Sequence, residues 1–315
     1  MSNRREIGRF FRMLLKFIPF LIVAYGILLL GWGNNIPLYF RGNLNYRIES
    51  KGHAFTRFKE VKTIGKVDIL FLGSSHTYRG FDVRLFQEMG YKVFNLGSSS
   101  QTPIQTNILL NRYLDKLRPE IVFYEVNLPD FSSDGVEASL DVIANDWVDW
   151  EAIKMAFKIN HLKTYNTLFY GYIYEMLGFK AKHDEPLEKL GEKYIKGGYV
   201  EKKLTYNKRL DARLRGVILN QDQLEVFESI IAKLKKKKIK FYLVQAPVTT
   251  SYYNSLTYAK DFDSLMRTYG NYLNFNEIMH LNDTLDFFDA HHLNQIGVEK
   301  FNKELIGRFF NQKRN

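Results

Sequence analysis

The chain has 315 residues, of which 45% are hydrophobic and 25% charged, and it has no cysteine. That balance excludes a disordered chain, and the missing thiol excludes disulfides, cysteine nucleophiles and cysteine-held metals. The net charge of +11 is divided between an N-terminal group (Arg4, Arg5, Arg9, Arg12, Lys16) and a run from Lys233 to Lys240. No recognition element surrounds either group, so nucleic acid is not an expected partner, and an anionic membrane surface or an acidic glycan suits the charge better.

Residues 1–12 read as a basic cytoplasmic tail and residues 13–33 as a transmembrane signal anchor. The stretch MLLKFIPFLIVAYGILLLGW (13–32) carries one charge, Lys16, close enough to its end to snorkel. At about 1.5 Å per residue it spans roughly 30 Å, a bilayer's hydrocarbon thickness. The basic flank puts the N-terminus in the cytoplasm and the remainder outside the cytoplasmic membrane. No small-x-small cleavage site follows, so the anchor is expected to stay uncleaved, with Trp32 and Tyr39 at the far interface. Residues 34–65 read as a polar, basic linker with some extended structure.

From residue 66 to residue 315 the pattern alternates. The run Val67-Asp68-Ile69-Leu70-Phe71-Leu72, apolar but for Asp68, predicts a strand buried on both faces, with a helix over 82–89 after it. A strand at 91–96, a helix at 103–117, a strand at 120–127, a helix at 222–237 and a strand at 240–245 follow. A helix at 256–269, an extended 272–275 and a helix at 294–310 complete the order. The lysines of the 222–237 segment end a helix, where cations complement the dipole. This order predicts a parallel sheet covered by helices on both faces, a three-layer α/β arrangement. The rhythm breaks between about 130 and 220, a stretch rich in aromatics that reads as a mostly helical insertion over the active edge. Trp147, Trp150, Tyr165, Phe169, Tyr170, Tyr172 and Tyr174 are expected in its core; a sugar-stacking platform or a membrane-facing lid is the other reading.

In parallel sheets ligands bind beyond the carboxyl ends of the strands. Three predicted strands end in polar residues: Gly73-Ser74-Ser75-His76, Ser98-Ser99-Ser100-Gln101 and Asn127. A serine becomes a nucleophile when an imidazole takes its proton and a third group orients that imidazole. Asp289 and His292, three residues apart in FFDAHHLNQIGVEKF, sit before a helix that Asn294 can cap, and from one turn both side chains can reach one point. Ser75, His292 and Asp289 are therefore the candidate catalytic residues. The Ser75 and Ser100 backbone N–H groups and the Asn127 amide are candidate oxyanion donors. Tyr78 and Arg79 are weaker candidates for substrate contact. The bland alternative is that Ser75 merely caps the following helix. His76 reads as a structural hydrogen bonder, and adjacent histidines at 291 and 292 make a poor metal site, so no metal or cofactor is expected.

These residues resemble the SGNH (GDSL-type) hydrolase superfamily. Gly73 and Ser75 match its first block and Asn95-Leu96-Gly97-Ser98-Ser99-Ser100 lies where the second does. Asn127 falls at the third-block asparagine, and Asp289-x-x-His292 with Asn294 and Gly297 matches the last. The likeness covers about residues 66–128 and 240–310. Ser74 stands for the usual aspartate, Ser100 for the second-block glycine, and Asn127 lacks the usual Gly-x-Asn-Asp context. The resemblance implies ester hydrolysis or acyl transfer without a metal. With the anchor, it is similar to relatives that handle acyl groups on envelope polymers, such as alginate O-acetylation proteins and the D-alanyl transfer protein of lipoteichoic acid synthesis. The expected substrate is an acylated envelope glycan or glycolipid, and a transferase would need an integral-membrane acyl-donor partner. The alternative is a non-catalytic accessory or binding subunit of an envelope polysaccharide system, motivated by Ser74 and Ser100.

Overall fold

The computed structural model describes residues 2–49, 52–208, 214 and 216–310. Helix α1 (Ser2–Asn35) runs unbroken through Pro19, and a short 3-10 turn (Leu38–Phe40) leads to α2 (Ala54–Val61). Strand β1 (Ile69–Leu72) is followed by α3 (Ser75–Gly80) and α4 (Val83–Gln87), and β2 (Val93–Asn95) by α5 (Pro103–Leu117). After β3 (Ile121–Glu125) come α6 (Leu128–Ser132), α7 (Val136–Asn145), α8 (Trp150–Ile159) and α9 (Leu162–Met176). Three short strands then pair antiparallel: β4 (Glu188–Lys189), β5 (Glu192–Ile195) and β6 (Tyr199–Lys202). The chain returns through α10 (Gln221–Lys236) to β7 (Lys240–Gln245), then α11 (Thr250–Ser255), α12 (Ala259–Tyr269) and β8 (Tyr272–Asn274). It closes with α13 (Phe275–Ile278) and α14 (Gln295–Phe309).

Five strands form one parallel sheet in the order β2-β1-β3-β7-β8. Successive strand side chains point to opposite faces, and the burial follows that period. Leu70, Leu72, Val122, Tyr124 and Leu243 face one core with Leu109, Phe227 and Phe262 from the helices on that side. Ile69, Phe71, Phe123, Tyr242 and Val244 face the other, with Phe81, Phe86, Val298 and Phe301. Burial on both faces is what removes polar residues from these strands and gives the apolar runs seen in the sequence. The predicted three-layer α/β fold is the observed one.

Several local expectations differ from the structure. Residues 34–65 are no plain linker: α2 buries Ala54, Phe58 and Val61 in the core and Arg57 is fully enclosed, bonding the Gly198 and Gly52 carbonyls. The insertion is helical only in its first half; β4–β6 form its second. The helix expected at 256–269 is two, because Leu256 leaves helical geometry (φ −88°, ψ 106°) between α11 and α12. The insertion's aromatics are not uniformly core: Tyr170 is buried, whereas Trp147, Trp150 and Tyr172 are exposed. Among the described residues α1 is the helix long and apolar enough to cross a membrane, over Arg4–Asn35 with a mean hydropathy of 2.4 in its most apolar stretch.

Candidate active site

The turn after β1 begins the site. Gly73 adopts φ +134°, and a Cβ there would lie 2.4 Å from Thr77 Oγ1 and 2.7 Å from the Glu125 carbonyl oxygen, so glycine is required where β1 passes β3. Ser74 caps α3 and Ser75 is its first residue, half-buried at the carboxyl edge of the sheet. The first N–H groups of a helix have no intrahelical acceptor, and Ser75 holds one of them.

The other half of the site comes from a turn more than two hundred residues later. Asp289 Oδ1 accepts the backbone N–H groups of His291 at 3.0 Å and His292 at 2.8 Å, a local closure that aspartate favours. The same carboxylate meets His292 Nδ1 at 2.9 Å through Oδ2. The turn is tied down on both sides: Phe288 N–H donates to the His292 carbonyl, and Thr249 Oγ1 donates to the Ala290 carbonyl. Asn294 caps α14 by accepting from Ile296 and Gly297 N–H. Helix α14 then packs on α3, where Asn302 Nδ2 donates to the Gly80 carbonyl at 2.7 Å and Phe301 meets Phe81 edge-on. This packing carries His292 Nε2 to 2.8 Å from Ser75 Oγ.

The polar links set the protonation pattern. Burial alone would raise the Asp289 carboxyl, but the hydrogen bond and charge of His292, with His291 beside it, hold it well below the usual carboxylate range. An ionised Asp289 beside Nδ1 favours the tautomer with its proton on that nitrogen, which turns Nε2 toward Ser75 as an acceptor. The Phe288 ring lies parallel to His292 at 5.3 Å and limits its tilt.

Beneath this surface lies a second group. His76 stacks at 5.0 Å on His292, and its Nδ1 lies 3.2 Å from Ser74 Oγ and 3.3 Å from Asn127 Nδ2. Burial, then the charges of His292 and His291, push His76 well below its ordinary value, so it stays neutral. Glu125, the last residue of β3, is raised by burial and by Asp130, against the pull of the Ser74 and Ala246 N–H groups and the Ser74 hydroxyl. Asp130 is pushed up to about 7 by burial, opposed by the Ser74 hydroxyl.

Of the sequence candidates, Ser75, His292 and Asp289 are brought into one chain of contacts, and Asn127 joins through His76. Ser100 is exposed, in the left-handed region at φ 52°, and lines a polar cavity of about 290 Å³ with Asn45, Arg47, Ser99, Glu137, Leu140 and Asp141. That cavity lies toward the insertion, and Ser75 is not among its lining residues. Tyr78 and Arg79, expected near the substrate, are engaged within the protein. Tyr78 is enclosed with Tyr194 and Val200 under β5 and β6, and Arg79 is taken by Glu192 at 2.6 Å. A cavity of about 440 Å³ instead borders Asp289 and His291, lined also by Tyr206, Asn207, Lys208 and Tyr252. Sequence reasoning missed these residues, which lie outside any recognisable motif, and it missed Glu125 and Asp130. An acid closing the apolar run Ile121-Val122-Phe123-Tyr124 was the available signal.

Two trios bring ligand-type atoms within 4.8 Å of one another, His76 with His291 and His292, and His76 with Glu125 and Asp130. Both nitrogens of His292 are engaged by Ser75 and Asp289, and His76 Nδ1 by Ser74 and Asn127. A metal at the first trio would therefore have to displace a contact of His292.

No protein-family model matches the chain, and no curated protein matches it. Among solved structures it is similar to a candidate acylhydrolase from Bacteroides fragilis, with 12% identity and a TM-score of 0.39 over 87% of this chain and 96% of that one. It is also similar to a GDSL-like lipase from Bacteroides thetaiotaomicron, with 13% identity and a TM-score of 0.40 over 81% of this chain and 97% of that one.

Proposed function

We propose that this chain is an SGNH-type serine ester hydrolase or O-acyltransferase, anchored in the cytoplasmic membrane by α1, with its α/β domain outside the cytoplasm. The observation that carries the reading is the continuous Ser75 Oγ–His292 Nε2–Asp289 contact, 2.8 Å and then 2.9 Å through the ring. The basic residues before the apolar stretch of α1 support the orientation.

In this mechanism Ser75 Oγ attacks the ester carbonyl carbon while His292 Nε2 takes the hydroxyl proton. Asp289 holds the ring and stabilises the imidazolium that forms. The Ser75 N–H and the Asn127 amide serve as donors for the oxyanion in this reading, and each such donor is worth about 100- to 1000-fold in rate. Collapse breaks the bond to the leaving alkoxide, which receives the proton from His292. An acyl group then sits on Ser75. Water, deprotonated by His292, releases it as an acid; a sugar hydroxyl in the same place receives it as a new ester. An acylated envelope glycan or glycolipid fits a domain tethered outside the membrane, and a transferase of this kind would draw acyl groups from an integral-membrane partner.

The test is fluorophosphonate labelling of the full chain in detergent, beside Ser75→Ala and His292→Ala. Labelling of the wild type that both variants lose is the expected result. A folded wild type that takes no label overturns the reading and favours a binding subunit that keeps the fold.

A further inference from the structure

Helix α1 does not leave the domain as a free stalk. Its second half packs against α9 of the insertion. Tyr25 Oη donates to Asn166 Oδ1 at 2.7 Å, and Tyr170 Oη donates to Asn34 Oδ1 at 2.6 Å. Two glycines permit the approach. A Cβ on Gly26 would lie 3.1 Å from Ile173 Cδ1, and one on Gly33 would lie 2.4 Å from the Tyr170 ring. Tyr25 and Phe169 lie nearly parallel, with centroids 6.3 Å apart.

The depth of this contact is the point. Tyr25 to Gly33 covers about 12 Å of helix, more than a third of a hydrocarbon core about 30 Å thick. These residues belong to the apolar stretch 13–32 or adjoin it, on the side away from the basic flank. Below them an open groove of about 610 Å³, with almost no polar lining, runs between Leu21, Ile22, Ala24, Tyr25 and Leu28 of α1 and Phe169 of α9. A bilayer that covers Leu21 to Trp32 must therefore also receive α9. The surface that α9 and its following residues present is apolar too: Tyr172 is 54% exposed, Met176 65%, and Leu177 and Phe179 remain open. Ile27 and Leu28 of α1 are exposed alongside. One continuous apolar surface of this extent, with tyrosines toward its watery side, fits lipid.

We propose that α9 is an interfacial membrane element, seated in the outer leaflet beside α1, so that the domain is docked on the bilayer and not merely tethered to it. The proposal rests on the reading of α1 as a membrane span. Its occupant is the lipid of the outer leaflet, because the groove between α1 and α9 is almost without polar lining and exposed apolar residues stand on both helices. Helix α7 packs on α9 and supplies Glu137, Leu140 and Asp141 to the cavity of Ser99 and Ser100. Docking would hold that end of the sheet about one helix diameter, roughly 10 Å, from the lipid surface, within reach of an ester presented there.

The absence of cysteine makes the test direct. Single cysteines replace Tyr172, Met176, Leu28 and Lys303, the last exposed on α14. Each full-length variant carries an environment-sensitive fluorophore in phosphatidylcholine–phosphatidylglycerol vesicles with or without doxyl-labelled lipid, and circular dichroism verifies folding. The expected result is quenching by doxyl lipid at Leu28→Cys, Tyr172→Cys and Met176→Cys and none at Lys303→Cys. Quenching at Leu28→Cys with none on α9 overturns docking and leaves the anchor standing. No quenching at Leu28→Cys overturns the anchor reading and docking with it. Quenching at Lys303→Cys as strong as on α9 also overturns it, as does shielding of α9 that grows with protein concentration and needs no lipid, the signature of a second copy.

Discussion

Two groupings of serine, histidine and carboxylate stand side by side at the end of β1. Ser75, His292 and Asp289 lie at the open edge; Ser74, His76 and the Glu125–Asp130 pair lie one layer beneath. The residue types are nearly the same, and two of the residues are neighbours in the chain. Their surroundings differ. Asp289 accepts two backbone N–H groups and the imidazole, so it stays ionised. Glu125 is enclosed and Asp130 half-buried close to it, and both carboxyls are raised, so their protonated forms are favoured. An ionised carboxylate can support an imidazolium beside it; a protonated one cannot. The comparison teaches that burial and charge, not the set of side chains, decide which group can support a charged imidazole.

The largest expected effect separates the two serines. Ser75→Ala should abolish fluorophosphonate labelling and lower ester turnover by about a million-fold, as removal of a triad nucleophile does. Ser74→Ala, whose hydroxyl is enclosed, should keep the label. Loss of label in Ser74→Ala with retention in Ser75→Ala, both folded, would invert the assignment. Next is Asp289→Asn, which keeps the shape but lets His292 turn its proton the wrong way; turnover should fall by about ten-thousand-fold. A loss smaller than tenfold would mean that the Asp289 turn only shapes the loop. Smaller again is Asn127→Ala, expected to cost about 100- to 1000-fold in kcat with KM little changed, the mark of a donor used in the transition state. A change confined to KM would assign Asn127 to the lower group, through His76.

How far these two groups were legible in the sequence follows from their physics. The sheet could be read because strands buried on both faces must be continuous apolar runs. Ser75 and the Asp289-x-x-His292 turn could be read because a strand end and a local closure leave short, ordered signatures. The lower group left only Glu125 at the end of a strand, since its meaning depends on Asp130 and Ser74 arriving beside it. Tyr78 and Arg79 follow Ser75 closely in sequence, but α3 turns them toward β5 and β6, strands that the aromatic insertion gave no alternating pattern to announce. The antiparallel pairing of Glu192 to Ile195 with Tyr199 to Lys202 is set by the two glycines between them, Gly197 and Gly198, both at positive φ. The same holds for α2, whose apolar face of Ala54, Phe58 and Val61 is too short to stand out from a basic stretch.

The smallest expected effect, and the one that tests the lower group directly, is on stability. Asp130 has a folded pKa of about 7, above its unfolded value, and Glu125 is shifted in the same direction. For carboxyls raised in this way the folded chain binds more protons than the unfolded one. Their contribution to stability is therefore complete below the ordinary carboxylate range and is lost as pH rises to about 7. Asp289 has the opposite sign: held low, it contributes above the ordinary range and its contribution is lost only in acid. Between pH 5 and pH 8, about the window where the Asp130 pair titrates, the two groups should separate cleanly. Glu125→Gln removes the charge that faces Asp130 and keeps the shape, so the fall in Tm across that window should be shallower than in the wild type. Asp289→Asn should alter the acid limb, where the wild-type carboxylate loses its contribution. Equal slopes in Glu125→Gln and wild type would mean that the carboxyls under Ser74 are not coupled to folding, and the contrast between an ionised triad and a protonated one would lose its basis.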